Sequence, residues 1–428
     1  MSDANTLGDR RAIEALRAGV PNRDAVRRLG CSHPAIEDRF RALLSSVETG
    51  FGDGIQPSGL LVSGDFGSGK SHLLEYLQHV ALEANFVCSK IVISKETPIS
   101  DPLKVFRAMV SEGKVPGKLG PSIQTLALNL RTRFKTESYR DFYVWAGSEG
   151  SGLAAQFPAT LAVLQDGGDI EYGQQIARFW AGDRLNTTQL KDNLRQIGQL
   201  TSYHLGPQPK QRGLAFQRIR FAPRLARAAG YRGWIVLFDE LELIGRYAFK
   251  GRAYAYAELA RWLGRLDDIP DGRFPGLGTV GAITSDFETS VLKGGYCDEE
   301  KIPNKLNASD RPADHELASL ATRGIRTILH HAARLPALTS EQVKAAHDRL
   351  REAHSEAFGW DAPALADCFS PDSSSVMRPY IRRWITEWDL KRLYPDQSFD
   401  PVEELLQPAQ YGEDDDLAST DSLDQPET

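Results

Sequence analysis

Gly64-Asp65-Phe66-Gly67-Ser68-Gly69-Lys70-Ser71-His72 follows the apolar run Gly59-Leu-Leu-Val-Ser63 and precedes Leu73-Leu-Glu-Tyr-Leu77. Gly64, Gly69, Lys70 and Ser71 satisfy the spacing G-x-x-x-x-G-K-[ST], in which glycines let successive backbone N–H groups turn into a concave anion nest. Such a nest cradles phosphates, so residues 64–72 form the expected nucleotide-binding loop. The helix that begins near Lys70 adds its positive dipole end. Lys70 places a point charge on the outer phosphates, and the Ser71 hydroxyl suits Mg2+. A strand before the loop and a helix after it are what this chemistry needs, and ATP or GTP with Mg2+ is the expected ligand.

Gly233-Trp-Ile-Val-Leu-Phe-Asp239-Glu240 is a short, wholly apolar run ending in two carboxylates, the pattern of a strand buried on both faces inside a parallel sheet. In the Walker B arrangement Asp239 holds Mg2+ opposite Ser71. Glu240, immediately after it, can polarise a water for attack on the terminal phosphoryl group, which marks hydrolytic ATPases rather than small-molecule kinases or G proteins. A third strand, Gly276 to Ser285, ends in Thr284-Ser285, and either hydroxyl is placed to touch the terminal phosphate or orient the water. Phe86 to Ser94 reads as a fourth. The order strand, phosphate loop, helix, strand, helix, Walker B strand, helix, polar-ended strand predicts an α/β fold, a P-loop NTPase built on a doubly wound parallel sheet.

Composition narrows the setting. A chain of 428 residues with 41% hydrophobic and 25% charged residues is an ordinary globular composition. The first residues, MSDANTLGDRRAIEALRAG, lack an apolar signal segment, and no run approaches the ~18 apolar residues of a membrane helix, so a cytoplasmic protein is expected. Cys31, Cys88, Cys297 and Cys368 show neither C-x-x-C nor paired His spacing, which points away from a disulfide framework or a zinc site. The net charge of −6 is concentrated: Tyr411 to Thr428 carries seven acids and no base, and without those seven the body is near +1. Such a one-signed, Pro- and Ser-containing segment reads as a disordered tail.

Four stretches, GDFGSGKSH, SKETPISDPLKVFRAM, LAFQRIRFAPRLARAAGYRGWIVLFDELELIGRY and AYAELARWLG, together resemble the ATP-binding proteins of bacterial BREX phage-defence systems, the BrxD type in particular. The similarity runs from about residue 10 to residue 396. It implies an AAA+-like accessory ATPase of antiviral defence, with ATP as nucleotide and other defence-system proteins as partners. An AAA+-like protein carries a helical lid after its sheet, and Ile325 to Tyr394 is helix-rich, with Thr339-Ser-Glu341 opening a capped helix. Arg378, before Pro379 at a helix start, matches the lid arginine that reads the terminal phosphate in such proteins. Hydrolysis at subunit interfaces would need an arginine finger from Arg311, Arg323 or Arg326, and with it a homo-oligomer. The implied organisation is an N-terminal helical segment (1–50), an ATPase core (51–112 and 213–312), a helical insertion (113–212), a lid (313–400) and an acidic tail (401–428).

Glycine breaks at Gly147, Gly150, Gly167 and Gly168 divide the insertion into helices. From Asn193 to Phe238 there is no acid but eight bases: Arg195, Lys210, Arg212, Arg218, Arg220, Arg224, Arg227 and Arg232. Residues 195–232 could therefore meet DNA phosphates or an acidic partner, or pair internally. Ala25 to Phe40 has helix-turn-helix spacing, but Glu37 and Asp38 would repel phosphates, which favours a docking segment over a DNA reader. Two functions remain in view: an ATP hydrolase that drives or switches a defence assembly, and a nucleotide-dependent scaffold or DNA-binding module with negligible turnover. The Asp239-Glu240 pair favours the first.

Overall fold

The structure, a computed structural model, describes residues 3–19, 22–31, 33–166, 170–266, 268–269, 272–365, 377–397 and 411. Of the acidic tail only Tyr411 is included; the rest of it, with Cys368, Gly167 and Gly168, lies outside the described residues.

In chain order, α1 (Asp3–Ala18), α2 (Arg23–Leu29) and α3 (Pro34–Thr49) lead into β1 (Leu60–Gly64), α4 (Lys70–Glu83), β2 (Val87–Val92), α5 (Pro102–Ser111) and the two-residue β3 (Gly113–Lys114). Five helices follow: α6 (Ser122–Arg131), α7 (Glu137–Gly147), α8 (Gln156–Gln165), α9 (Ile170–Ala181) and α10 (Thr187–Gln196). The long α11 (Gln211–Ala228) returns the chain to β4 (Trp234–Asp239), α12 (Phe249–Trp262) and β5 (Leu277–Thr284). Last come α13 (Asp298–Asn307), α14 (Pro312–His331), β6 (Ala332–Arg334), α15 (Ser340–Phe358) and α16 (Met377–Leu393). None of the described helices is long and apolar enough to cross a membrane.

The result is a mixed α/β protein with a six-stranded sheet in the order β3-β2-β4-β5-β1-β6, parallel except for β3. β5 lies between β1 and β4. The central strands β1, β4 and β5 are largely apolar and buried at nearly every position because both faces are covered. Val62, Cys88, Ile235, Leu237 and Ala282 pack against α3 and α4, while Leu61, Val87, Val236, Phe238 and Ile283 face the cluster that holds α5, α11, α12 and α14. Successive strand residues point to opposite faces, so an unbroken apolar run is the signature of a two-sided layer.

The insertion consists of α6 to α10, of which α8 is buried from Gln156 to Leu164. They do not form a body of their own. Leu126, Phe142, Phe157 and Trp180 belong to the same apolar cluster as the sheet face, gathered around Phe221 of α11. Of the alternatives open for residues 195–232, that packing favours internal pairing for the bases from Arg212 to Arg232. Arg218 is fully buried, donates to the carbonyls of Phe179 at 3.0 Å and Asp183 at 2.5 Å, and lies 5.2 Å from the Phe179 ring. Arg224 stacks on Trp145 at 4.1 Å, Arg227 on Phe51 at 4.0 Å, and Arg232 pairs with Glu48. Arg212 reaches Glu258 at 3.2 Å and Arg220 the Ser151 carbonyl at 3.1 Å. Burial pushes Arg218 and Arg224 down to about 10. These bases hold α11 to its neighbours; no local sequence signal separates such stacking from a solvated phosphate-facing row.

Two further boundaries shift. Ile325–His331 closes α14 against α12, and the next three residues add β6 beside β1, so this stretch belongs to the sheet layer rather than to a lid. The capped helix α15 forms as expected, with Thr339 and Gln342 making a reciprocal capping box. Its partners are unexpected: α15 and α16 share one apolar cluster with α1 and α2, through Ile13, Leu16, Leu29, Leu350 and Trp384. Arg28 joins Asp9 to Glu356, Arg17 reaches Asp389 at 2.5 Å, and Arg10 donates to the Ala357 carbonyl at 2.8 Å. The N-terminal segment thus divides, α1 and α2 joining the C-terminal helices while α3 lies under the sheet, its Glu37 accepting from Tyr76 of α4 at 2.8 Å. With Phe40 fully buried there, α3 is not a free recognition helix.

The tightest helix crossing is that of α14 on α12. A Cβ on Gly324 would stand 2.0 Å from the Tyr256 carbonyl oxygen. Gly324→Ala should therefore push the two helices apart and cost about 1–3 kcal/mol, as overpacked cores do. A lower urea midpoint with unchanged slope is the expected measurement.

Candidate functional site

The phosphate loop is formed as its glycines require. Gly67 and Gly69 take positive φ of 80° and 94°, the left-handed region open to glycine, and α4 starts at Lys70 with its first N–H groups free of helical carbonyls. Lys70 is 8% exposed, and its Nζ donates to the carbonyls of Gly64 at 2.9 Å and Asp65 at 3.1 Å. Burial holds the Lys70 ammonium below its usual range, while Glu242, Asp239, Asp286 and Asp65 pull it back up. His72 ties the loop helix to the end of α2 through the Gly30 carbonyl at 3.0 Å.

One cavity collects most of the residues expected to act together, while Gly64, Asp65 and Thr284 are not among its lining residues. Its walls include Phe66 to His72, Asp239 and Glu240 from the end of β4, and Arg378 from the first turn of α16. Arg378 stands 5.4 Å from the Phe66 ring and lowers the proton affinity of Glu240, which burial and Asp239 raise. Asp239 is 5% exposed. Glu240 sits at φ 60°, a left-handed conformation that ends the strand abruptly and turns the chain into a short 3-10 segment, Leu241–Arg246. The opposite, apolar half of the cavity comes from both ends of the chain: Leu16, Leu29 and His33 face Leu338, Ala346 and Ile381.

The two polar residues ending β5 have different partners. The Ser285 hydroxyl donates to the Asp65 carboxylate, and its N–H donates to the Gly64 carbonyl at 3.2 Å, so it braces the phosphate loop. Thr284 is 2% exposed and lies in register with Gly64. Its hydroxyl is 2.7 Å from that of Tyr411. Of the three arginines considered as fingers, Arg323 pairs with Asp268, and Arg311 and Arg326 are exposed.

Glu242 was missed. It lines the cavity, its Oε2 is buried without a hydrogen-bond partner, and burial pushes its carboxyl up to about 7 against the pull of Lys70. The signal was present in Asp239-Glu-Leu-Glu242, a third carboxylate that a tight turn after the strand brings back to the loop. The donor set fits Mg-nucleotide: a hydroxyl on Ser71, carboxylates on Asp239 and Glu242, and buried polar atoms without partners at Ser68 Oγ and Glu242 Oε2.

The family model described as "BREX system ATP-binding protein BrxC/D" matches residues 7–119 and 212–369, more than half of the sequence. The chain belongs to this family. The matched blocks contain the phosphate loop, Asp239, Glu240 and Thr284, and Arg378 lies beyond them. ATP is thereby the nucleotide the family name gives, and a BREX defence system the setting. No curated protein and no solved structure matches the chain.

Glu242 has a consequence for pH. A carboxyl whose folded-state pKa is raised from 4.5 to about 7 binds its proton more tightly folded than unfolded. Its contribution to stability is therefore full below about 4.5 and is lost as pH rises towards 7. Nucleotide-free Glu242→Gln protein should lose less stability than the parent between pH 4.5 and 7, as read by paired denaturant titrations; parallel curves would contradict the buried state of Glu242.

Proposed function

We propose that this chain is an AAA+-like P-loop ATPase that hydrolyses ATP as an accessory component of a BREX defence system. The observation that carries the reading is the shared cavity of Lys70, Ser71, Asp239, Glu240 and Arg378. Residues 64–72 hold the phosphates, with Ser71 and Asp239 as Mg2+ ligands. Mg2+ supplies charge neutralisation on the β- and γ-phosphate oxygens. Glu240 accepts the proton of the attacking water, Thr284 orients that water or the terminal phosphate, and Arg378 engages the phosphoryl group from α16. The ATPase core comprises residues 51–112 and 213–312 extended through β6, and it cycles in the cytoplasm with other BREX proteins. Where a homo-oligomer forms, Arg311 or Arg326 is the better finger, since Arg323 is already paired with Asp268.

A second reading, an ATP-dependent scaffold with negligible turnover, draws on the engagement of Thr284 by Tyr411. Single-turnover hydrolysis with labelled ATP separates the two. Glu240→Gln keeps shape but removes the proton acceptor, so hydrolysis should fall about 10²- to 10⁴-fold while ATP affinity persists. Lys70→Ala removes a charge-assisted donor and should weaken ATP binding itself by about ten- to a hundredfold. Parent protein with no turnover above the Glu240→Gln level would leave the scaffold.

A further inference from the structure

The end of β5 holds a side chain from the far end of the sequence. The Tyr411 ring stands edge-on to Phe287, centroids 6.0 Å apart at 81°, and rests on Gly245, where a Cβ would lie 2.9 Å from Tyr411 Cδ1. The Tyr296 hydroxyl donates to the Tyr411 carbonyl at 2.6 Å. Tyr296 is itself held: Arg252 stacks on its ring at 4.0 Å while gripping the fully buried Asp298 through two hydrogen bonds of 2.7 and 3.1 Å. The cradle is thus a built one, aromatic walls on an ion-paired foundation, with a backbone and a side-chain contact to its occupant.

Counting protons at the hydroxyl gives the consequence. The Tyr411 hydroxyl donates to Asp286 Oδ1 at 3.0 Å, and a phenol has one proton to give. Its contact with Thr284 Oγ1 at 2.7 Å must then be one in which Thr284 donates. While Tyr411 is docked, the only proton of the Thr284 hydroxyl is committed to Tyr411 and is not free for another acceptor. Burial keeps the phenol protonated well above its ordinary range, consistent with that direction. Tyr411 is followed by Gly412-Glu-Asp-Asp-Asp416.

We propose that the pocket formed by Gly245, Thr284, Asp286, Phe287 and Tyr296 is a binding site for the tyrosyl side chain of an acidic peptide, that its ligand is this chain's own tail through Tyr411, and that occupancy opposes ATP hydrolysis by engaging Thr284. The last clause rests on the role assigned to Thr284 above; the binding site does not.

The test compares full-length parent, Tyr411→Phe and Tyr411→Ala proteins by hydrogen–deuterium exchange and single-turnover hydrolysis. Exchange of the amides in 285–296 should quicken in Tyr411→Ala, and a synthetic peptide of residues 405–417 at millimolar concentration, comparable to the effective concentration of a tethered segment, should restore protection. The same peptide with Tyr411 replaced by Ala should not. Tyr411→Phe keeps the ring but loses the hydroxyl, so hydrolysis should rise about 2- to 12-fold, the range of one neutral hydrogen bond. Unchanged exchange in Tyr411→Ala, or equal protection by both peptides, overturns the binding site. Altered exchange with an unchanged rate in Tyr411→Phe leaves the site standing and overturns the part played by Thr284.

Discussion

The insertion of β5 between β1 and β4 is the constraint on which the remaining geometry depends. Parallel pairing sets Gly64 opposite Thr284 and Phe238 opposite Gly281, so three strands from widely separated parts of the chain end along one edge. Each end carries a different group: the phosphate loop, Asp239 with Glu240, and Thr284. Parallel strands need crossovers on the sheet faces, and those crossovers cover both faces with helices. The same requirement that makes the central strands largely apolar therefore leaves their C-terminal tips as the places where polar groups gather, the crevice in which open α/β sheets bind ligands.

The legible parts were those whose cause is local. A glycine-lysine turn between an apolar run and a helix, an apolar run ending in two acids, and a capping residue before an amphipathic stretch each carry their own physics within ten residues. The site was readable to the same extent: Lys70, Ser71, Asp239, Glu240 and Arg378 line one cavity. What escaped depends on pairing at a distance. β3 and β6 are two and three residues long and exist because a neighbouring strand offers its edge. The bases of α11 looked one-signed because their partners are aromatic rings and carbonyls, which a charge count ignores. The union of α1 and α2 with α15 and α16 joins stretches more than three hundred residues apart, through side chains that alone read as ordinary helix faces.

The electrostatics of the cavity are lopsided. Asp65, Asp239, Glu240, Glu242 and Asp286 act on Lys70 or on one another, against Lys70 and Arg378. Lys70 turns to backbone carbonyls, and burial raises the proton affinity of Glu240 and Glu242. The left-handed backbone of Glu240 itself adds strain of about 1–3 kcal/mol, of the kind that survives where surrounding structure overrides it. Carboxylates crowded beside an anion nest are costly by themselves and become compatible when a divalent cation and a polyphosphate interleave their charges. The neutral carboxyl favoured at Glu242 belongs to the ligand-free state, and added positive charge would favour its ionised form.

The two ends of the chain bring this chemistry under common control. Leu16, Leu29, Leu338, Ala346 and Ile381 all line the cavity, and α1, α2, α15 and α16 form one apolar cluster stapled by Arg28, Arg17 and Arg10. Separating these helices would expose Trp384 and Trp388 and strand the buried Asp9 without its guanidinium partner. Arg378 rides on α16, and His72 of the phosphate-loop helix is bonded to Gly30 at the end of α2. The helices of one apolar cluster therefore carry both Arg378, which lines the cavity, and the approach to Gly30, whose carbonyl holds His72 of the phosphate-loop helix.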